Sequence, residues 1–153
     1  MTVAEAFRIG LVGLALAFGV SGQAHALGQA TLDTKNDPAS AIRRVIEQQL
    51  DAIRKDDAER AFSFASPNIR RAFRDADTFM ALVMKDYAPM RRWQAATFLD
   101  LRTYEGHYVQ RVKLTDNKGA SSVANYALIK AATGEWWVAG VAMEDKDAAS
   151  KTE

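Results

Sequence analysis

Few side chains in this sequence are placed where chemistry could be done. Asp100 is the one carboxylate expected in mid-strand and so the natural general base. His107 is the histidine left once the expected leader carrying His25 is removed, and it sits beside a hairpin turn, where imidazoles are usually solvated. Tyr87 and Tyr126 could serve as acids or oxyanion donors. The chain has no cysteine, which removes thiol nucleophiles, zinc–thiolate sites, iron–sulfur clusters and disulfides together. It has no GxSxG, P-loop or GxGxxG, so nucleophile-elbow and phosphate-loop chemistry lack sequence support. One histidine without cysteine also argues against a transition-metal site, and no cofactor is expected.

All of these but Tyr87, which falls on a helix before it, lie in the last third, Trp93 to Met143, which reads as a four-stranded antiparallel meander of alternating β-rich runs. Its turns are Glu105-Gly106, Asp116-Asn117-Lys118-Gly119 and Ala132-Thr133-Gly134. A two-residue loop at Glu105-Gly106 pairs Tyr104 with His107. Asp100 then falls opposite Arg111, Phe98 opposite Lys113, Leu99 opposite Val112 and Leu101 opposite Gln110. A type I turn plus a left-handed glycine at Gly119 and Gly134 pairs Gln110 with Tyr126, Val112 with Ala124, Tyr126 with Gly140 and Leu128 with Val138.

This register assigns Leu99, Leu101, Tyr108, Gln110, Val112, Leu114, Tyr126, Leu128, Trp136 and Val138 to the face that helices cover. The outer face carries Asp100, Arg102, Arg111 and Lys113 on its first strands. Opposite charges paired across strands are common surface features, and Arg111 should lower rather than raise the Asp100 pKa. On the last strands the outer face turns apolar with Val123, Ala127, Ile129, Trp137, Val141 and Met143, and a second copy of the sheet is the simplest cover. Gln110 and Tyr126 are polar, adjacent and inward. They either satisfy each other or helix backbone, or they help line a pocket with Tyr87, Tyr108 and Trp136 for a small apolar or amphipathic ligand.

The elements before the sheet read as helices. Asp37-Pro38 supplies a cap and a proline for an amphipathic helix with Ile42, Val45, Ile46, Gln49, Leu50 and Ile53 on one face. Asp56-Asp57 ends it and caps a second, Ser66-Pro67 starts a third, and Asp75 or Asp77 caps a fourth that Pro89 stops. Residues 1–26 read as a secretory leader: Arg8, a twelve-residue apolar run Ile9–Val20, and the Ala24-His25-Ala26 cleavage pattern. Twelve residues are short for a bilayer of about 30 Å, so no stable anchor is expected. The mature protein is therefore expected in the periplasm or secreted. Residues 27–36 read as a flexible lead-in, 37–144 as one α+β domain and 145–153 as a disordered tail.

Twenty Lys+Arg against nineteen Asp+Glu leave a net charge of +1, which gives no general field for nucleic acid. The runs Arg70-Arg71…Arg74 and Arg91-Arg92 lack interleaved aromatics for base stacking.

Short helices followed by a bulged meander resemble the nuclear-transport-factor-2-like α+β roll. More narrowly, the chain is similar to the bacterial family called domain of unknown function 4864. The residues that carry this are Ile46, Gln49, Asp57, Ala61-Phe62-Ser63-Phe64-Ala65-Ser66-Pro67-Asn68-Ile69 and Tyr87-Ala88-Pro89. In the sheet they are Gln110-Arg111-Val112, Asp116…Gly119, Tyr126 and Trp136…Gly140. The resemblance implies a cone-shaped roll with its pocket between helices and sheet. The wider superfamily holds both isomerase- or hydrolase-type enzymes and non-catalytic binding modules. The leading expectation is a non-catalytic exported homodimer with a ligand in the cone. Its alternatives are an enzyme using a tyrosine plus a carboxylate in the same pocket, and a purely structural partner-binding role.

Overall fold

The computed structural model describes residues 37–144. The expected leader (1–26), lead-in (27–36) and tail (145–153) lie outside the described residues. Helix α1, Pro38–Arg54, starts where the sequence places it, with Asp37 Oδ2 accepting from the Ser40 amide at 3.2 Å and Pro38 in the first turn. Its apolar stripe buries Ile42, Ile46, Leu50 and Ile53 completely, each contributing about 1.5–3 kcal/mol. Helix α2, Ala58–Ser63, is capped by Asp57, α3, Pro67–Phe73, by Ser66 and α4, Ala76–Asp86, by Asp75. The caps occur where a short oxygen-bearing side chain precedes an apolar run.

Four helices were expected before the sheet; the described residues hold five. Helix α4 ends at Asp86, but Pro89 does not end helical structure: Ala88–Arg92 forms α5 around it. A proline is tolerated in a first turn because its missing N–H has no helical partner there. Helix α5 buries Met90 and delivers the chain to β1. The indole of Trp93 then donates to the Leu50 carbonyl at 3.1 Å, tying the start of the sheet to α1.

Strands β1 (Trp93–Tyr104), β2 (His107–Asp116), β3 (Ser121–Lys130) and β4 (Trp136–Met143) form an open antiparallel sheet in sequence order. Glu105 (φ +47°) and Gly106 (φ +76°) are both left-handed, as a type I′ turn requires. Gly119 and Gly134 also have positive φ, at +80° and +92°. Asp116 Oδ1 accepts from the amides of Lys118 and Ala120, which fixes the second turn.

The β2–β3 register is the expected one, with Gln110 opposite Tyr126 and Val112 opposite Ala124. Besides a shift between Trp93 and Ala95 at the start of β1, two bulges correct the outer strands. Near the first hairpin, Tyr104 pairs with His107 and Leu101 with Gln110, but beyond a bulge at Leu99-Asp100 it is Phe98 that meets Val112 and Thr97 that meets Lys113. Phe98 therefore packs on the core, reversing its expected face, while Leu99, at the bulge itself, is left 38 % exposed. On β4, Leu128 pairs with Val138 as expected. Ala139 is then an extra residue, so Tyr126 meets Val141 rather than Gly140, and Ala124 meets Met143. Val141 and Met143 accordingly turn inward: Val141 is 6 % exposed, and Met143 packs against the core. An extra residue swaps the face of everything beyond it, and neither bulge carries a glycine at its extra residues to announce it.

The helices cover one face of the sheet, burying Val112, Leu114, Ala124, Tyr126, Leu128, Val138 and Val141 against the α1 stripe. The far edge of β4 is itself partly paired. Ser66 N donates to Val138 O and Val138 N to Phe64 O, both at 2.8 Å, making a parallel bridge at Ala65. That bridge holds the α2–α3 corner against the strand.

Candidate functional site

The five residues expected to line one pocket are divided among four environments. Gln110 is 4 % exposed and spends its amide on backbone: Nε2 donates to the carbonyls of Leu99 (3.0 Å), Asp100 (3.3 Å) and Arg111 (2.9 Å). A bulge leaves strand carbonyls without ladder partners, and a buried amide from the neighbouring strand supplies them. Gln110 thus holds the β1 bulge rather than pairing with Tyr126. Tyr126 is fully buried, and its hydroxyl has no hydrogen-bond partner; burial pushes its pKa well up. Tyr108 and Trp136 pack edge-to-face at 4.9 Å between ring centres, half-buried.

Tyr87 is on the wall of a small cavity between helices and sheet, with Gln49, Met90, Val138 and Val141 among its neighbours there. Its hydroxyl donates to the Val141 carbonyl at 3.3 Å, and burial raises its pKa, with the Asp86 charge adding to this. The cavity measures about 20 Å³, room for one water and no more. Gln49, 2 % exposed, donates through Nε2 to the Ala61 carbonyl at 3.1 Å, and its Oε1 has no partner. The functional interest of Gln49 was missed from sequence, although a glutamine within an apolar helical stripe is its signal.

The larger space is elsewhere. A groove of about 470 Å³ runs between the first turns of α1 and the bulged part of β1, and Gln110 is the one expected pocket residue that lines it. Its walls include Arg43, Arg44 and Glu47 from α1 and Leu99 and Leu101 from β1. The guanidinium of Arg43 stacks 4.7 Å over the Phe98 ring.

Asp100 stands on the outer face within a charge cluster. Arg111 Nη1 donates to Asp100 Oδ1 at 2.9 Å, and Arg111 Nε and Nη2 reach the two Glu144 oxygens at 2.7 and 3.0 Å. Arg102 closes on Asp100 Oδ2 at 2.5 Å, and Asn125 donates to Glu144 at 3.3 Å. Hydrogen bonding to Arg111 holds both carboxyls below their usual range and raises the arginine. A depressed carboxyl is a poor proton acceptor, so the arrangement suits an ion-pair partner and not a base.

His107 Nδ1 lies 3.1 Å from the Glu105 carbonyl in the turn. Arg91 pairs with Asp56 at 2.7 Å, and Arg70 stacks 5.5 Å over the Trp137 ring, so two of the basic residues have intramolecular roles. Among the described residues, no group of three or more His, Asp or Glu side chains could hold a metal, and no helix is long and apolar enough to cross a membrane.

Short helices followed by an open four-stranded antiparallel sheet define an α+β protein. Residues 35–151 match the family described as Domain of unknown function (DUF4864), and the chain belongs to that family. Neither the curated proteins nor the solved structures contain a match to it.

Proposed function

We infer that this is an exported, non-catalytic module, built on a nuclear-transport-factor-2-like roll, that pairs with a second copy through the outer face of its sheet. The observation that carries the pairing is the apolar cluster on that face: Val123, Ile129 and Trp137 are only half-buried, beside the nearly covered Ala127. Val141 and Met143 leave the patch because they face the core, and Val109, opposite Ala127 on β2, joins it. A two-fold interface buries the same patch from both copies, and the neighbouring Asp100–Arg111–Glu144 cluster offers charges of both signs for its rim. Helices on one face of a consecutive meander support the roll, and the apolar run before Ala24-His25-Ala26 supports export.

The non-catalytic reading draws on the buried polar groups, which among the described residues belong to Gln49, Ser66, Gln110 and the Tyr126 hydroxyl, with no buried carboxylate residue among them. The enzyme alternative needs an inward carboxylate near a tyrosine, and no observation favours it. Sedimentation at micromolar concentration tests the pairing: the protein should run as a dimer, and Ile129→Glu should run as a folded monomer. A monomeric parent, or a variant that stays dimeric, overturns it. Intact mass of protein recovered from the cell envelope tests export; it should begin near Leu27.

A further inference from the structure

The cavity beside Tyr87 has room for one water only, whereas the groove of about 470 Å³ at α1 and β1 has the volume of a small-molecule site. The β1 bulge shapes it. By placing an extra residue at Leu99-Asp100, the bulge leaves Leu99 38 % exposed at the groove instead of packed on the core. Leu101, half-buried, adds a second apolar surface. The 96 % burial implied by the 4 % exposure of Gln110 and its three bonds to backbone carbonyls hold the bulge in this shape.

The helix wall supplies charge. Arg54, Arg91, Arg102 and Arg111 each lie within 3 Å of a carboxylate oxygen. Arg43 and Arg44 are in no such ion pair among the described residues, although both line the groove. Stacking on Phe98 holds Arg43 in place, which lowers the entropy lost when it binds a ligand. Asp37, also on the wall, is engaged as the cap of α1 by the amide and hydroxyl of Ser40. Glu47 sits one turn beyond Arg43 and Arg44, so the anionic end of a ligand is favoured at the arginine end.

We propose that this groove binds a small amphipathic carboxylate, its acid group on Arg43 and Arg44 and its aliphatic body on Leu99 and Leu101. The site lies on the helix-covered side of the sheet and is independent of pairing through the outer face. Failure of either leaves the other standing, since one is read by titration and the other by sedimentation.

Calorimetric titration of the purified protein with octanoate tests the proposal. Saturable binding of one octanoate per chain is expected, at least tenfold tighter than 1-octanol, which keeps the chain and lacks the charge. Arg44→Glu, on an exposed helix position, should weaken octanoate at least tenfold, and Leu99→Ser should weaken both probes. Arg70→Glu, which lies against Trp137 outside the groove, should change neither. Circular dichroism of each variant verifies that it is folded. Octanoate that fails to saturate at about 1 mM, or that binds Arg44→Glu as well as the parent, overturns the proposal.

Discussion

Replacing Gln110 by leucine tests whether one amide holds the shape of β1. The substitution keeps a side chain of similar size in a site that is 4 % exposed, so little cavity term enters. It removes a donor group that reaches three carbonyls, those of Leu99, Asp100 and Arg111, at 3.0, 3.3 and 2.9 Å. An NH₂ has two hydrogens, so one of them is shared, and the loss amounts to two hydrogen bonds. At a net value of about 1 kcal/mol each, the expected cost is roughly 2 kcal/mol. It rises if the carbonyls stay dry and falls if water reaches them. For a domain of this size that is a fall in melting temperature of roughly 10 °C. Urea denaturation at neutral pH gives the free energy, and amide exchange locates it. Protection should fall first at Leu101 and Val112, which flank the bulge. A loss below about 0.5 kcal/mol, or an exchange pattern unchanged at β1, would refute the reasoning.

Tyr126→Phe should stabilise the protein by about 1 kcal/mol in the same assay, since the variant removes a buried hydroxyl that has no partner; a destabilised variant would show that the hydroxyl is satisfied. Asp100 and Glu144 have folded pKa values below their ordinary 3.8 and 4.5, through Arg111. Their contribution is therefore present above those ordinary values and is lost as pH falls through the lower folded ones. The stability difference between the parent and Arg111→Leu should be constant from neutral pH to about pH 5 and shrink below about pH 4. A difference that stays constant down to pH 2 would count against the ion pairs. Glu105 adopts φ +47° in the first position of the type I′ turn, where asparagine is favoured. Glu105→Asn should raise stability by about 0.5–1 kcal/mol, and a loss on thermal denaturation would argue against that turn.

Local chemistry made much of this molecule legible before any coordinates. Helix starts were readable because Asp37, Asp57, Ser66 and Asp75 satisfy amides within three residues of themselves. The hairpins were readable because Gly106, Gly119 and Gly134 take backbone angles that other residues resist. The central β2–β3 pairing followed from its turn, and with it the inward positions of Gln110 and Tyr126. The pairing of Asp100 with Arg111 was also foreseen, although through a register that held for the wrong local reason.

Tertiary structure alone decided the rest. The bulges at Leu99-Asp100 and Ala139 depend on how the outer strands fit the helices, and they brought Phe98, Val141 and Met143 inward and left Leu99 out of the core. Nothing local to β1 says that Gln110, eleven residues away from Leu99, will supply hydrogen bonds to its carbonyls. Pocket geometry is a further example, since whether aromatic rings on facing strands leave a hollow depends on packing across the whole layer. Of the rings expected around one hollow, Tyr108 and Trp136 pack on each other, Tyr126 fills the core and Tyr87 lines a cavity of about 20 Å³, while the larger space opened where α1 and the bulged strand part. Sequence determined which residues face the helices on the central strands, because backbone alternation has a period of two. Structure decided what happens when that period slips by one, because only the packed whole selects where the slip falls.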